Sequence, residues 1–264
     1  MDIFTIIFLV ISFGSLIAGF VLEGGTIAAL GSASAAVIIL GGTIGVTGLS
    51  FPITEIKRVP AMLKVFFIHK ETDLVDLVLY FKEISFKTRK NGLLSLESEI
   101  TENTSVDPFI KKGLQLAVDG IEPEALRSIL ELEVESTSER HRDGAAIFET
   151  AGGYAPTMGI IGTVMGLVHV LGNLSDTASL GPKIASAFIA TLYGIGTANL
   201  IWLPIAEKLK ALDNKEFNEK RLIVEAVLYI QEGVNPNTIS EKLKGFLNKE
   251  ELARFESKDG KVEV

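Results

Sequence analysis

The chain has 264 residues, 47% of them apolar, and a formal net charge of −8. No cysteine is present, which excludes disulfides and thiolate chemistry, and no basic face appears, which argues against nucleic-acid binding. Long charge-free runs alternate with strongly charged ones, the pattern of a multi-span membrane protein with a soluble part.

Four runs carry no formal charge: Ile3–Leu22, Gly24–Thr54, Ala151–Ser175 and Ile184–Ala206. Each reaches the roughly 20 residues that cross a hydrocarbon core. The first has only Asp2 before it and no basic n-region, and a second run follows at once, so it reads as a retained span rather than a signal peptide. Its Ile, Phe, Leu and Val residues suit a lipid-facing anchor. The second run is richer in small residues (Gly31, Ser32, Ala33, Ser34, Ala35, Ala36, Gly41, Gly42), which suits close helix packing. Phe51-Pro52 predicts its end, because the residue before proline is biased away from helix.

The charged loop that follows opens with an amphipathic helical run over Glu55–Arg89, with Val75, Leu77, Val78, Leu79, Phe81 and Ile84 at helical spacing. Asn91-Gly92 stops it, and a short helix restarts over Leu93–Ile100. Asp107-Pro108 opens another helix, which ends near Asp119-Gly120. Glu122-Pro123-Glu124 opens the last, with acidic residues at its positive end. No stop signal separates it from the third charge-free run, so one long helix is expected to carry the chain into the membrane.

The third run, AGGYAPTMGIIGTVMGLVHVLGNLS, is an unusual span. Pro156 has no N–H to donate, so a kink is expected there. Gly159, Gly162 and Gly166 recur at helical spacing and leave one face almost bare, so another helix can approach closely. Thr157 and Thr163 add hydroxyls. The fourth run repeats these features with Ala185, Ala187, Ala190, Gly194, Gly196 and Ala198, with Thr191 and Thr197, and with Pro204 near its end. Trp202 fits an interfacial belt. A charged helical tail follows, and Phe255–Val264 read as frayed or disordered.

Of the 25 Lys and Arg residues, 13 lie in 55–150 and 11 in 207–264, leaving only Lys183 elsewhere. The positive-inside rule then places the loop, the tail and the N-terminus in the cytoplasm. The outer loops are tiny, about Glu23–Thr26 and Asp176–Lys183. None of the four spans holds an Asp, Glu, Lys or Arg, although intramembrane ionisable groups usually mark ion relays. A partner would therefore supply the carboxylate if ions pass, or the chain is a scaffold. Thr163 and Thr191 can line a passage with hydroxyls that replace part of an ion's water shell. They can equally back-bond to their own helices. His169, near the outer end of the third span, reads as a packing or interfacial residue. No metal-ligand cluster, nucleophile motif or phosphate loop appears, so no cofactor is expected and an enzyme is disfavoured.

Three stretches resemble one family: RKNGLLSLE at Arg89–Glu97, AGGYAPTMGIIGTVMGLVHVLG at Ala151–Gly172, and AFIATLYGIGTANLIWLPIAEKLK at Ala187–Lys210. With four spans and a large loop between the second and third, the chain resembles MotA, the larger stator subunit of the flagellar motor, in the MotA/TolQ/ExbB superfamily. The resemblance implies an all-α polytopic membrane protein with four transmembrane helices and a helical cytoplasmic domain. It implies transmembrane segments at 1–54 and 146–207, a rotor-contacting domain at 55–145 and a C-terminal tail at 208–264. It further implies a homopentamer around a MotB-like pair that brings the ion-binding aspartate. Ion flow would drive torque on the rotor protein FliG, for motility in a cell membrane. Arg89 and Glu97 match the family's rotor-contacting charges, and Pro156 and Pro204 its coupling prolines. Arg89 and Glu97 would stand on neighbouring helices across Asn91-Gly92. The transported ion is a proton or sodium, with Thr163 favouring sodium. The alternative is a TolQ- or ExbB-like energiser of an envelope protein; relatives of that kind have three spans and lack the Arg89–Glu97 stretch.

Overall fold

In the computed structural model, which describes residues 3–69, 72–101, 103–104, 106–172 and 177–262, every regular element is helical. Asp2, Glu102, the end of the third charge-free run with Asp176 (173–176) and the last two residues lie outside the described residues. Among the described residues, four helices are long and apolar enough to cross a membrane. The chain divides into two compact units: residues 1–69 with 140–211, and residues 70–139 with 212–264. The expected 55–145 domain is thus shared, its two ends grouping with the spans, and the C-terminal tail joins the loop helices in the second unit.

The first unit begins with α1 (Ile3–Leu22), none of whose residues is buried, as suits an anchor facing lipid. A turn at Gly24 (φ 87°) and a short 3-10 turn at Ile27–Leu30 lead to α2 (Ala33–Ala36), a π turn (Val37–Gly41) and α3 (Gly42–Ser50). Phe51 is extended (φ −128°, ψ 148°), so the span ends where Phe51-Pro52 predicts.

The amphipathic run expected over Glu55–Arg89 is not one helix. It is split into α4 (Ile53–Ile56), α5 (Val59–Phe67) and α6 (Leu74–Asn91). Pro60 stands in the first turn of α5, where a missing N–H is harmless, and its ring bars a continuous helix from α4. Ile68 is extended and closes α5. Within the first unit α5 packs Phe66 against Phe148, Ile205 and Ala206.

In the second unit, Asp73 caps α6 by accepting from the Val75 N–H at 3.0 Å. Gly92 ends it in a left-handed conformation (φ 79°), which explains the stop at Asn91-Gly92. A 3-10 turn (Leu93–Leu96) then runs into α7 (Glu97–Thr101). Asp107 caps α8 (Pro108–Val118), and Gly120 (φ 75°) follows its end. The residues of α9 (Pro123–Leu171) form a single helix of 49 residues, as the missing stop signal predicts. No break interrupts it at Pro156.

After α10 (Thr177–Thr197), which begins inside the expected outer loop, a π turn at Ala198–Trp202 precedes α11 (Leu203–Gln231). Pro204 cannot donate to the carbonyl four residues back, and the Leu203 N–H instead reaches Ala198, one residue beyond α-helical register. The chain ends with α12 (Pro236–Leu243) and α13 (Lys249–Val262). The expectation of a frayed end from Phe255 is therefore corrected. Phe255 is 1% exposed in the core of the second unit, with Phe81, Leu114, Leu126 and Leu222. Ion pairs join α13 to α6: Lys82 to Asp259 at 2.7 Å, Lys258 to Asp76 at 2.6 Å, and Arg254 to Asp73.

Candidate ion-pathway site

The seam between α9 and α10 is built by leaving side chains out. A β-carbon on Gly194 would sit 2.6 Å from the Ala155 carbonyl oxygen and 2.9 Å from the Gly159 Cα. One on Gly159 would meet the Ala190 carbonyl at 3.1 Å, and ones on Gly162 and Gly166 would press on Ala190 and Ala187 at 2.8 and 2.7 Å. Glycine is thus required by close approach, since lipid supplies no hydrophobic drive between helices and contact must come from near backbones.

Thr163 and Thr191 meet inside this seam. Their hydroxyl oxygens are 2.5 Å apart. The Thr163 hydroxyl also lies 3.1 Å from the Gly159 carbonyl on its own helix and 3.0 Å from the Ala187 carbonyl on α10. Back-bonding to its own helix, one of the two roles the sequence allows for Thr163, is thus within reach beside contacts to α10, and the single hydroxyl proton serves one carbonyl at a time. The result is four oxygens at one level of a half-buried seam, with no formal charge among them. Thr157 and Thr197 by contrast reach only carbonyls of their own helices, at 2.8 and 2.7 Å.

The expected site residues fall in three places. Gly159, Gly162, Gly166, Thr163 and Thr191 share the seam. Pro156 lies within α9 just before it, and Pro204 follows the π turn. His169 lines a cavity of about 270 Å³ in the same unit, with Ser34, Met165, Lys183 and Ser186. The sequence did not reveal the Tyr193 hydroxyl, which donates to the Leu30 carbonyl at 2.7 Å and ties α10 to the start of the second span. A lone tyrosine in an apolar run was the available signal, because a buried phenol needs a partner.

Arg89 and Glu97 stand in the second unit, at the end of α6 and the start of α7, both exposed. Neither side chain has an ion-pair partner among the described residues. Their neighbours are occupied: Lys87 reaches Glu99 at 3.7 Å and Ser98 at 3.4 Å, and Glu99 accepts from the Tyr80 hydroxyl at 3.3 Å. Burial and the adjacent carboxylate push the Tyr80 phenol well above its ordinary range.

These features define a helical, polytopic membrane protein with a charge-free, hydroxyl-bearing seam. Residues 101–222 match the model of the MotA/TolQ/ExbB proton channel family. The chain is 40% identical to motility protein A of Bacillus subtilis over 97% of its own length and 94% of the relative's. It is 36% identical to the chemotaxis protein PomA of Vibrio alginolyticus, over 94% and 96%. Its fold matches a chain of the flagellar MotAB stator complex from Bacillus subtilis with a TM-score of 0.89 at 39% identity, covering 95% of this chain and 98% of that one. The chain belongs to the MotA/TolQ/ExbB proton channel family, a family of channel subunits and not of enzymes.

Proposed function

We propose that the chain is a flagellar stator subunit that forms an ion channel with a MotB-like partner and turns the rotor protein FliG as ions pass. The observation that carries this reading is the α9–α10 seam. It gathers hydroxyl and carbonyl oxygens beside bare backbone, and the four spans contain no carboxylate. An oxygen-lined path without its own charge needs an acidic group from a second chain, which the MotB-like aspartate would supply. Oxygens at this spacing can replace part of the water shell of sodium or relay a proton.

In this reading 1–54 and 146–207 lie in the cell membrane among its lipids, and 55–145 and 208–264 lie in the cytoplasm with both termini. Five copies surround two partner chains. Gly159, Gly162 and Gly166 hold the helices at contact distance. Pro156 and Pro204 are positions where the helix ladder can yield as the ion site fills and empties. One elementary charge moved through 100 mV releases about 2.3 kcal/mol, enough to bias two packings a few kcal/mol apart. Arg89 and Glu97 pass the motion to the rotor.

The test is complementation. A strain lacking its own stator genes, supplied with this chain and its MotB-like partner, is expected to swim. Deleting the native gene is expected to leave filaments assembled and paralysed. Loss of the filaments, or normal swimming with impaired envelope transport, would contradict the proposal and favour the envelope-energiser reading.

A further inference from the structure

Among the described residues of the second unit, four large apolar side chains are exposed: Phe86 (53%), Leu94 (68%), Ile129 (39%) and Leu132 (67%). Two of them flank the charges assigned above to rotor contact. Phe86 precedes Arg89 by three positions on α6, and Leu94 precedes Glu97 by three across the 3-10 turn.

The local geometry explains why they face outward together with those charges. On α6 the buried face runs from Val75, Leu77 and Val78 through Phe81, Ile84, Ser85 and Thr88, with Lys82 buried at its edge. Phe86 is off that register, and residues three and four further on, Arg89 and Lys90, share its face. In the 3-10 turn, side chains three apart eclipse. Leu93 and Leu96 take the inward side, with Leu96 0% exposed, so Leu94 and Glu97 take an outward one. Gly92 makes the reversal between the two segments. Each charge therefore carries an apolar neighbour: an aromatic ring beside the cation and a branched aliphatic chain beside the anion.

We propose that Phe86 and Leu94 are apolar anchors of the docking surface, and that the partner presents apolar side chains flanked by an acidic group opposite Arg89 and a basic group opposite Glu97. The proposal rests on the rotor-contact reading of Arg89 and Glu97. Charge complementarity alone is a weak hold, since exposed ion pairs contribute about 0–1 kcal/mol each. Apolar contacts that exclude water around such pairs strengthen them, and interface energy concentrates in a few well-packed, desolvated side chains, arginine among them. The charges then set register and orientation, and the apolar pair carries grip under load.

The experiment measures the speed steps of single motors at high load, in a strain whose only stator is this chain with its partner. Step height reports torque per stator unit and does not depend on how many units assemble. Phe86→Ser with Leu94→Ser is expected to lower step height by at least about half, and Phe86→Leu with Leu94→Met to restore it. Unchanged step height in the serine variant overturns the proposal, as does an equal loss in both variants, since apolarity would then be irrelevant. Arg89→Glu with Glu97→Lys is measured alongside. If it lowers step height and the serine variant does not, the apolar anchors alone fail. If neither lowers it, the rotor-contact reading fails with them.

Discussion

The two units of this chain hold helices together by opposite means. In the first, α9 and α10 meet by removing side chains, with Gly159 against Gly194, and Gly162 and Gly166 against alanines. In the second, helices meet by filling space with Phe81, Phe255, Leu114, Leu126 and Leu222, all 1% exposed or less. The difference follows from the solvent. Water drives apolar groups together, so large side chains suffice there. Lipid does not, so contact distance must carry association, with polar links such as Thr163 to Thr191 adding to it. A seam held by contact distance and hydroxyls also leaves oxygens in the membrane, and that by-product is what an ion path requires.

The sharpest break of the comparison is Gly194→Val. Its added carbons would collide with the Ala155 carbonyl, and backbone cannot move aside as a side-chain tip can. The expected result is loss of the assembled complex in gently solubilised membranes, read by size-exclusion chromatography. Next is Phe81→Ala, which leaves a cavity in the second unit and should cost about 3–5 kcal/mol. It should lower the thermal midpoint of the purified complex while a large-to-small change in α1, which buries nothing, leaves it unmoved.

Smaller is Lys82→Met. It strands Asp259, whose side chain is 22% exposed while that of Lys82 is 7% exposed. Removing one partner of a fully buried pair costs about 3–5 kcal/mol, and partial exposure of Asp259 should keep the loss below that. Faster proteolysis within α13 would register it, and unchanged proteolysis would mean that Phe255 and the Arg254–Asp73 and Lys258–Asp76 pairs seat the helix without it.

Smallest is the acid response of the Arg127–Glu225 pair. The Arg127 guanidinium donates to Glu225 at 2.7 Å and holds its carboxyl below the ordinary carboxylate range. A depressed carboxylate contributes stability above its unfolded pKa and loses it as pH falls through the folded one. Glu225→Gln should therefore cost about 1 kcal/mol at neutral pH and almost nothing in acid, by midpoint shifts at the two pH values. Glu219, pushed up by burial, works in the opposite sense and gains on protonation.

The spans were legible because a membrane helix is a composition, and the four charge-free runs needed no knowledge of neighbours. The caps and stops at Asp107, Gly92 and Gly120 were legible because each is a local backbone requirement. The π turns at Val37–Gly41 and Ala198–Trp202 were not, since a residue inserted into a helix ladder leaves no periodic signature in a largely apolar run, and Pro204 marks the second only as a place where the ladder is interrupted. The split at Pro60 is masked by apolar spacing that continues on both sides of it. The fate of α13 was hidden for another reason. A charged helix with one buried aromatic looks disordered until Asp73, Asp76 and Lys82 are seen opposite its charges. Thr163 and Thr191 were singled out by their residue type and a family likeness. That they touch is set by the glycines between them and could not be counted from spacing.

The most direct test of the central claim, that the hydroxyls of the α9–α10 seam serve ion passage, is single-motor speed at low load with Thr163→Val and Thr191→Val. It would be recorded in sodium and in potassium media at fixed pH, with assembly confirmed by membrane immunoblot. The expectation is intact assembly with rotation slowed at least several-fold, and arrest of the unmodified motor in potassium if sodium is the ion. Full speed in the assembled valine variant would contradict the claim and leave those hydroxyls as packing links alone.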